Sequence, residues 1–248
     1  MKTTKDLVAY ITAGFPEQNF TVDLALALKD AGADIIELGI PFSDPVADGP
    51  VIEEANLRAL QNGFKTDVLF EISKNITDKI DTYWMGYFNS FYSKGVENIS
   101  SLANGLGVKG FIIPDLPYEE TLSYKQTFKK NDISLVSFVA PTDGDDRIKT
   151  VVKDSGGFIY LVAYAGITGS GVSEDLTKII EQIKKNSQTP LYIGFGVNEK
   201  TAKEKSRGVD GVIVGSAFIK VLLDDTLSYT KKITKISQIA RNIKEDIN

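Results

Sequence analysis

The stretch Asp34-Ile-Ile-Glu-Leu-Gly-Ile-Pro-Phe-Ser-Asp44-Pro-Val-Ala-Asp48-Gly-Pro50 predicts a buried β-strand that ends in a rigid loop rich in carboxylates. The apolar run carries Glu37 near its end, and three prolines restrict φ along the loop that follows. Ligands of a parallel sheet bind at the carboxyl ends of its strands. Glu37 and Asp48 are therefore candidates for a catalytic pair, whereas Asp44 is interpreted as a turn residue.

Short β-branched or aromatic runs recur along the chain, each followed by a helical pattern, which is typical of βα units. Eight strands are predicted, at Leu7–Thr12, Asp34–Gly39, Thr82–Tyr87, Gly110–Pro114, Ser134–Val139, Phe158–Val162, Leu191–Gly194 and Gly211–Val214. Helical segments are predicted at Thr21–Ala31, Ala55–Gln61, Val68–Asn75, Ser90–Leu106, Tyr118–Lys130, Asp145–Lys153, Ser173–Lys185, Lys200–Ser206 and Leu227–Lys244. The count of eight strands favours a (β/α)8 TIM barrel, although a doubly wound open sheet shows the same alternation.

Length and composition restrict the classes of protein to which the chain can belong. The 248 residues contain no linker-like segment, so we expect a single TIM-barrel domain over residues 1–248. A net charge of −5 argues against a nucleic-acid-binding surface. No run of roughly 20 apolar residues predicts a membrane span, and the apolar run Leu7–Phe15 is interpreted as the first strand rather than a signal peptide. The absence of cysteine fits a cytoplasmic location.

The lack of both histidine and cysteine restricts the chemistry further. A thiol nucleophile and an imidazole base are excluded, the usual zinc ligands are missing, and no predicted strand ends in a lysine that could form a Schiff base. Acid–base catalysis by carboxylates, aided by tyrosine, is what remains. We expect apolar walls to raise the pKa of Glu37 so that it carries a proton, and Asp48, in a wetter loop, to stay ionised and orient the substrate.

Three glycine-containing turns follow the sixth, seventh and eighth predicted strands. They are Ala165–Ser170, Gly194–Gly196 and Gly215–Ser216. The last of these opens Ala217–Leu222, an apolar stretch of the right length for the short extra helix with which many barrels bind phosphate. Backbone N–H groups and the helix dipole would hold an anion there without arginine, so we expect a phosphate ligand in spite of the acidic composition.

The motifs of the chain resemble those of the tryptophan synthase α subunit family over almost its whole length. The resemblance rests on Tyr10–Pro16, Glu37–Pro50, Ala55–Leu60, Ile113–Pro117, Ala165–Gly169, Gly194–Gly196 and Gly215–Ala217. It implies a (β/α)8 barrel that cleaves indole-3-glycerol phosphate to indole and glyceraldehyde 3-phosphate.

The resemblance also implies roles for individual residues. Glu37 would protonate indole C3 and remove the proton of the glycerol hydroxyl, Asp48 would pair with the indole N–H, and Tyr160 would lie near the reacting glycerol side chain. Thr168 would hydrogen-bond the Asp48 carboxylate when the loops close. The phosphate contacts would be Gly169, Gly196, Gly215 and Ser216, and the walls of the indole and propanol pocket would be Tyr10, Ile52, Phe195 and Ile213.

A partner follows from the same resemblance. The α subunit pairs with a β subunit that carries pyridoxal phosphate, as αββα, and passes indole to it through a tunnel, so this chain is expected to hold no cofactor of its own. Contacts with the β subunit would come from Pro41–Pro50 and Pro114–Pro117. Two features depart from the family pattern: Tyr164 stands where many relatives carry arginine, and the chain begins almost at the first strand, without a leading helix.

Two other functions agree with the residues. One is a phosphate-binding isomerase or epimerase that uses the same Glu37 and Asp48. The other is a non-catalytic barrel that binds a phosphorylated metabolite and regulates a partner.

Overall fold

The computed structural model describes residues 4–162 and 176–248, which form a parallel β-barrel surrounded by helices. Its strands are β1 (Asp6–Thr12), β2 (Ile35–Gly39), β3 (Asp81–Met85), β4 (Gly110–Ile112), β5 (Ser134–Leu135), β6 (Ser137–Val139), β7 (Ile159–Val162), β8 (Leu191–Gly194) and β9 (Gly211–Val214). All neighbouring strands pair in parallel, in the order β5-β4-β3-β2-β1-β9-β8-β7-β6. The predicted TIM-barrel fold class is confirmed.

The fifth predicted strand closes the barrel by changing its neighbour partway along. Its first half, β5, pairs with β4, and its second half, β6, pairs with β7. Val136 lies between the halves and donates its N–H to the Phe111 carbonyl at 3.0 Å. The predicted single strand is therefore two short segments, because strands that tilt in a closed barrel meet different neighbours at their two ends.

The helices lie outside the strands. They are α1 (Gln18–Asp30), α2 (Pro50–Gln61), α3 (Thr66–Ile76), α4 (Phe88–Tyr92), α5 (Val96–Gly105), α6 (Tyr118–Thr121), α7 (Lys125–Lys130), α8 (Asp145–Lys153), α9 (Thr177–Asn186), α10 (Ala202–Lys205), α11 (Ser216–Leu222) and α12 (Tyr229–Ile247). In the parts of the chain given above, none of them is long and apolar enough to cross a membrane.

Two predicted helices are interrupted. The segment predicted at Ser90–Leu106 breaks into α4 and α5 at Gly95, whose φ of +79° lies in the left-handed region that ends a helix. The segment predicted at Tyr118–Lys130 consists of α6, a 3-10 turn over Leu122–Tyr124, and α7. The short extra helix α11 is present and begins at Ser216.

The amino end of the barrel is filled from inside by aromatic side chains. The Phe158 ring packs against Tyr192 and Tyr83, with ring centroids 4.8 and 5.2 Å apart. Tyr192 donates its hydroxyl to the buried Asp6 carboxylate at 2.6 Å. These four residues, which we call the floor cluster, close this end, so the cavity that accepts a ligand opens at the carboxyl ends of the strands.

Candidate active site

A cavity of about 530 Å³ opens at the carboxyl ends of the strands, a volume within the usual range for small-molecule sites. It brings together ten of the twelve candidate residues: Tyr10, Glu37, Asp48, Ile52, Tyr160, Phe195, Gly196, Ile213, Gly215 and Ser216. The other two, Thr168 and Gly169, lie outside the described residues, as does Tyr164.

Glu37 lies on β2, deep in the cavity, beside Tyr10 of β1 in the strand register. Its side chain is only 3% exposed, and its Oε2 has no hydrogen-bond partner among the described residues. Burial, and then the nearby charge of Asp48, raise the pKa of Glu37 to about 8. Glu37 is therefore mostly protonated at neutral pH, so it can first donate a proton and then accept one.

Asp48 lies on the loop between β2 and α2, beside Asn56 and Tyr87. Asn56 on α2 donates its Nδ2 to Asp48 Oδ2 at 3.1 Å, and the Tyr87 hydroxyl accepts the N–H of the neighbouring Ala47 at 2.9 Å. Burial raises the pKa of Asp48 to about 6, while the nearby polar groups of Tyr87 and Asn56 oppose that rise. The surroundings of Asp48 are drier than the wet loop expected from the sequence, but a pKa of about 6 still leaves it mostly ionised at pH 7.

Two tyrosines flank the carboxylates, and each requires a glycine on a neighbouring strand. A Cβ on Gly39 would overlap the Tyr10 hydroxyl, and a Cβ on Gly194 would overlap that of Tyr160. Burial raises the pKa of both tyrosines well above the usual range, so both hydroxyls keep their protons and can serve as donors. Phe138 stacks on the Tyr160 ring at 5.2 Å and sets its orientation.

The glycine turns of β8 and β9 form the other end of the cavity. Phe195 and Gly196 have φ values of +72° and +67°, and the Phe195 carbonyl accepts a hydrogen bond from Lys205 Nζ at 3.0 Å. A non-glycine residue in this region costs about 1–2 kcal/mol, a strain typical of functional sites. The first two amides of α11, those of Ser216 and Ala217, donate to no backbone carbonyl, whereas the next two donate to the Gly215 carbonyl, so the first two can bind an anion.

Two lysines at the cavity were not predicted as site residues from the sequence. Lys200 and Lys220 line it, and neither forms an ion pair with any described residue. The sequence could have indicated Lys220, because it follows Ser216 by one helical turn, a spacing that places the two residues on one face of α11. The cavity therefore has carboxylates on one part of its lining and ammonium groups on another.

A second cavity of about 460 Å³ lies outside the barrel, between α6 and α8, and shares Pro114 and Phe138 with the first. Three of the five charged side chains that line it are in ion pairs, Lys125 with Asp154 at 2.9 Å and Arg147 with Glu119, while Lys129 and Asp143 form no ion pair with a described residue. Chemistry is therefore assigned to the first cavity, where the carboxylate of Glu37 is buried with one oxygen unpaired.

The structure also identifies two supporting residues that sequence reasoning did not assign, Asn56 and Tyr87. Asn56 is a polar residue on the buried face of α2, 2% exposed between Ala55 and Ala59. A polar side chain at a core position of an amphipathic helix was the signal that could have found it. No group of three or more acidic, histidine or cysteine side chains suited to a metal ion occurs among the described residues.

Comparison with known proteins connects this geometry to a family. The chain matches the sequence profile of the family described as "Tryptophan synthase alpha chain" over residues 1–248. A tryptophan synthase alpha chain from Wolinella succinogenes is 56% identical over 245 residues, covering 98% of this chain and 96% of that protein. One from Petrotoga mobilis is 38% identical, with the same coverage of both chains.

Solved structures agree with the sequence matches. Tryptophan synthase subunit alpha from Campylobacter jejuni superposes with a TM-score of 0.87 at 32% identity, covering 96% of both chains. A structure of Mycobacterium tuberculosis tryptophan synthase gives a TM-score of 0.88 at 28% identity, covering 98% of this chain and 93% of that one. These matches confirm the resemblance read from the motifs, and the chain belongs to the tryptophan synthase alpha chain family.

Proposed function

We propose that the chain cleaves indole-3-glycerol phosphate to indole and glyceraldehyde 3-phosphate, as one barrel domain over residues 1–248. The observation that carries the proposal is the buried Glu37, whose Oε2 has no partner among the described residues and whose pKa is raised to about 8. A carboxyl group that is protonated at neutral pH and lies in a cavity suits a step that begins with proton donation.

The protons of the reaction balance on Glu37 alone. Its carboxyl group protonates indole C3, the bond between C3 and the first glycerol carbon breaks, and the electron pair returns to the indole ring. The hydroxyl on that glycerol carbon then loses its proton to the Glu37 carboxylate and becomes the aldehyde. Glu37 ends in the state in which it began, so no other base is needed.

Asp48 and Tyr160 support this step by charge and hydrogen bonding. Protonation of C3 places positive charge on the indole nitrogen, and an ionised Asp48 paired with the N–H stabilises that charge. A pKa of about 6 leaves Asp48 ionised when Glu37 is protonated, so one pH range serves both roles. The protonated Tyr160 hydroxyl is available to the glycerol side chain.

The substrate phosphate is assigned to Gly196, Gly215 and Ser216, and to Gly169 on the segment outside the described residues. On that same segment, Thr168 is assigned the hydrogen bond to the Asp48 carboxylate when the loops close. Apolar contact with the indole and propanol groups is assigned to Tyr10, Ile52, Phe195 and Ile213, all of which line the cavity. No cofactor in this chain is needed for the proton transfers described.

The product and the family together point to a partner. Indole is small and apolar, so direct transfer to a β subunit that carries pyridoxal phosphate prevents its loss. We assign this chain to an α2β2 complex in the cytoplasm, with β-subunit contacts in Pro41–Pro50 and Pro114–Pro117. Val46, in the first of these loops, is 82% exposed and apolar, which suits an interface.

The direct test is to supply indole-3-glycerol phosphate and measure indole, with and without a tryptophan synthase β subunit. We expect indole in both cases and faster release with the β subunit, because the partner orders the loops at the active face. No indole in either case would favour the isomerase, epimerase or regulatory alternatives.

Ser216→Asp should weaken substrate binding by like-charge repulsion, and unchanged affinity would contradict the phosphate assignment.

A further inference from the structure

We propose that Lys205 and Thr201 are positioning residues for phosphate binding, because they hold two carbonyls of the turn after β8 outside the cavity and so direct the N–H groups that follow into it. This turn, residues 195–197, is called the β8 turn below. Neither Lys205 nor Thr201 lines the cavity, so neither is placed to touch a ligand there. The proposal rests on the proposed function for the identity of the anion, but the geometry of the turn is independent of the reaction.

The β8 turn has a backbone conformation that its own side chains do not explain. Phe195 and Gly196 have φ values of +72° and +67°, in the left-handed region that favours glycine. The Phe195 ring is 42% exposed and meets the Tyr160 ring only edge-on, with centroids 6.3 Å apart. Burial of this ring therefore does not offset the strain at Phe195, and groups around the turn must hold it in place.

Two side chains from the segment that follows bind the carbonyls of the β8 turn. Lys205 on α10 donates its Nζ to the Phe195 carbonyl at 3.0 Å, the only hydrogen bond its ammonium group makes with a described residue. Thr201, immediately before α10, donates its Oγ1 to the Gly196 carbonyl at 2.7 Å. Asn198 Nδ2 makes a longer contact with the same carbonyl, at 3.4 Å. Lys205 and Thr201 therefore draw both carbonyls out of the cavity.

The orientation of these carbonyls sets that of the next two N–H groups. In a planar trans peptide, the C=O and the N–H of one bond point in opposite directions. The N–H groups of Gly196 and Val197 therefore face away from Lys205 and Thr201, on the side where both residues line the cavity. Neither N–H donates to a described residue. Successive N–H groups on one side of a turn form an anion-binding concavity.

The test follows these two N–H groups directly, by NMR of the backbone amides of the full chain during a titration with inorganic phosphate. We expect the signals of Gly196 and Val197 to shift and to saturate as the phosphate concentration rises. The absence of a shift in both signals would overturn the proposal. The other amide signals in the same spectra show whether each variant is folded.

Two variants remove the donors, and a third restores one of them. Lys205→Met should raise the phosphate concentration at half-saturation by about tenfold, because it removes a charge-assisted hydrogen bond from the strained Phe195. Thr201→Val should raise it by about threefold, since Asn198 still reaches the Gly196 carbonyl. Lys205→Arg keeps a charged donor and should bind phosphate within about twofold of the unsubstituted chain.

Matched controls remove the same kinds of group where they do not contact the β8 turn. Lys203→Met deletes an ammonium group on the same helix that forms no ion pair with a described residue. Thr150→Val deletes a hydroxyl that donates to the Asp146 carbonyl at 2.8 Å within α8. Both controls should leave phosphate binding unchanged. Unchanged binding in Lys205→Met, or an equal loss in Lys203→Met, would overturn the positioning role.

Turnover supplies a readout that a merely structural role would not give. Lys205→Met should raise the KM for indole-3-glycerol phosphate by about tenfold and change kcat by less than about twofold, because the phosphate takes no part in the proton transfers. A fall in kcat with KM unchanged would contradict the proposal. If the unsubstituted chain releases no indole, the proposed function fails, while the phosphate titration still decides the positioning role. If it releases indole but phosphate shifts neither amide signal, only the positioning role fails.

Discussion

Each end of the barrel contains a buried carboxyl group beside tyrosines, but the two carboxyl groups differ in their hydrogen bonding. At the amino end, the floor cluster pairs a buried carboxylate, Asp6, with the Tyr192 hydroxyl at 2.6 Å. At the carboxyl end, Glu37 is equally buried between tyrosines, but its Oε2 has no partner among the described residues, and a cavity of about 530 Å³ lies in front of it.

The difference shows how a single barrel separates stability from catalysis. A buried carboxylate that is hydrogen-bonded contributes to the folded state, whereas one left unpaired raises its own pKa and destabilises the fold when it ionises. At the carboxyl end, the unpaired Glu37 destabilises the folded state but provides a group that can exchange a proton. Substitutions at the two ends should therefore separate activity from stability.

The largest expected effect is the loss of activity in Glu37→Gln. Glutamine keeps the size and one oxygen of the side chain but can neither donate nor accept the proton, so indole release should fall by about 10²–10⁴-fold. Substrate binding should be retained, as a titration with indole-3-glycerol phosphate would show. Normal turnover by this variant would exclude the proposed mechanism.

The second effect is the dependence of stability on pH. Because the pKa of Glu37 is raised to about 8 from 4.5, the folded state binds this proton more tightly than the unfolded state does. Its contribution to the free energy of unfolding is complete below pH 4.5 and is lost as pH rises through 8, on the order of 5 kcal/mol. Urea unfolding should show Glu37→Gln gaining stability over the parent between pH 5 and pH 9. A pH-independent difference would contradict the raised pKa.

The third effect is at the floor cluster. Tyr192→Phe removes the hydroxyl that donates to Asp6, and we expect a loss of about 1–3 kcal/mol in the free energy of unfolding. Because the floor cluster lies at the other end of the barrel from the cavity, kcat should change by less than about threefold. A fall in kcat as large as the one expected for Glu37→Gln would show that the two ends are coupled.

The smallest effect is expected from the equivalent substitution at the cavity. Tyr160→Phe keeps the ring that stacks on Phe138 and removes only the hydroxyl, so the free energy of unfolding should change by about 0.5 kcal/mol or less. Indole release should fall by about tenfold through the loss of one hydrogen bond to the substrate. Unfolding and turnover should be measured on both variants: Tyr192→Phe should lose stability but keep its activity, and Tyr160→Phe should lose activity but keep its stability. The same changes in both variants would contradict the distinction between the two ends of the barrel.

Much of the fold could be predicted from local patterns. The eight strand positions, the barrel class and the helix opened by Ser216 all follow from apolar runs and glycine turns, because strand burial and helix ends depend on neighbouring residues. The break of the fifth strand at Val136 could not be predicted, since it depends on which strands lie on either side. The predicted roles of Glu37, Asp48 and Tyr160 stay predictions, although the structure brings all three to one cavity.

By itself, the sequence determined which kinds of chemistry the chain can perform: without histidine or cysteine, acid–base catalysis falls to carboxylates and tyrosines, and Glu37 stands at a strand end. Only the tertiary structure decided how each carboxylate behaves. Asp6 and Glu37 are both buried acids within strands, and Asp48 is one of several loop acids. What separates them is that Tyr192 donates to Asp6 and Asn56 to Asp48, whereas Glu37 Oε2 has no partner among the described residues. Those donors lie 186 and 8 positions away along the chain, and hydrogen bonding depends on distance in space.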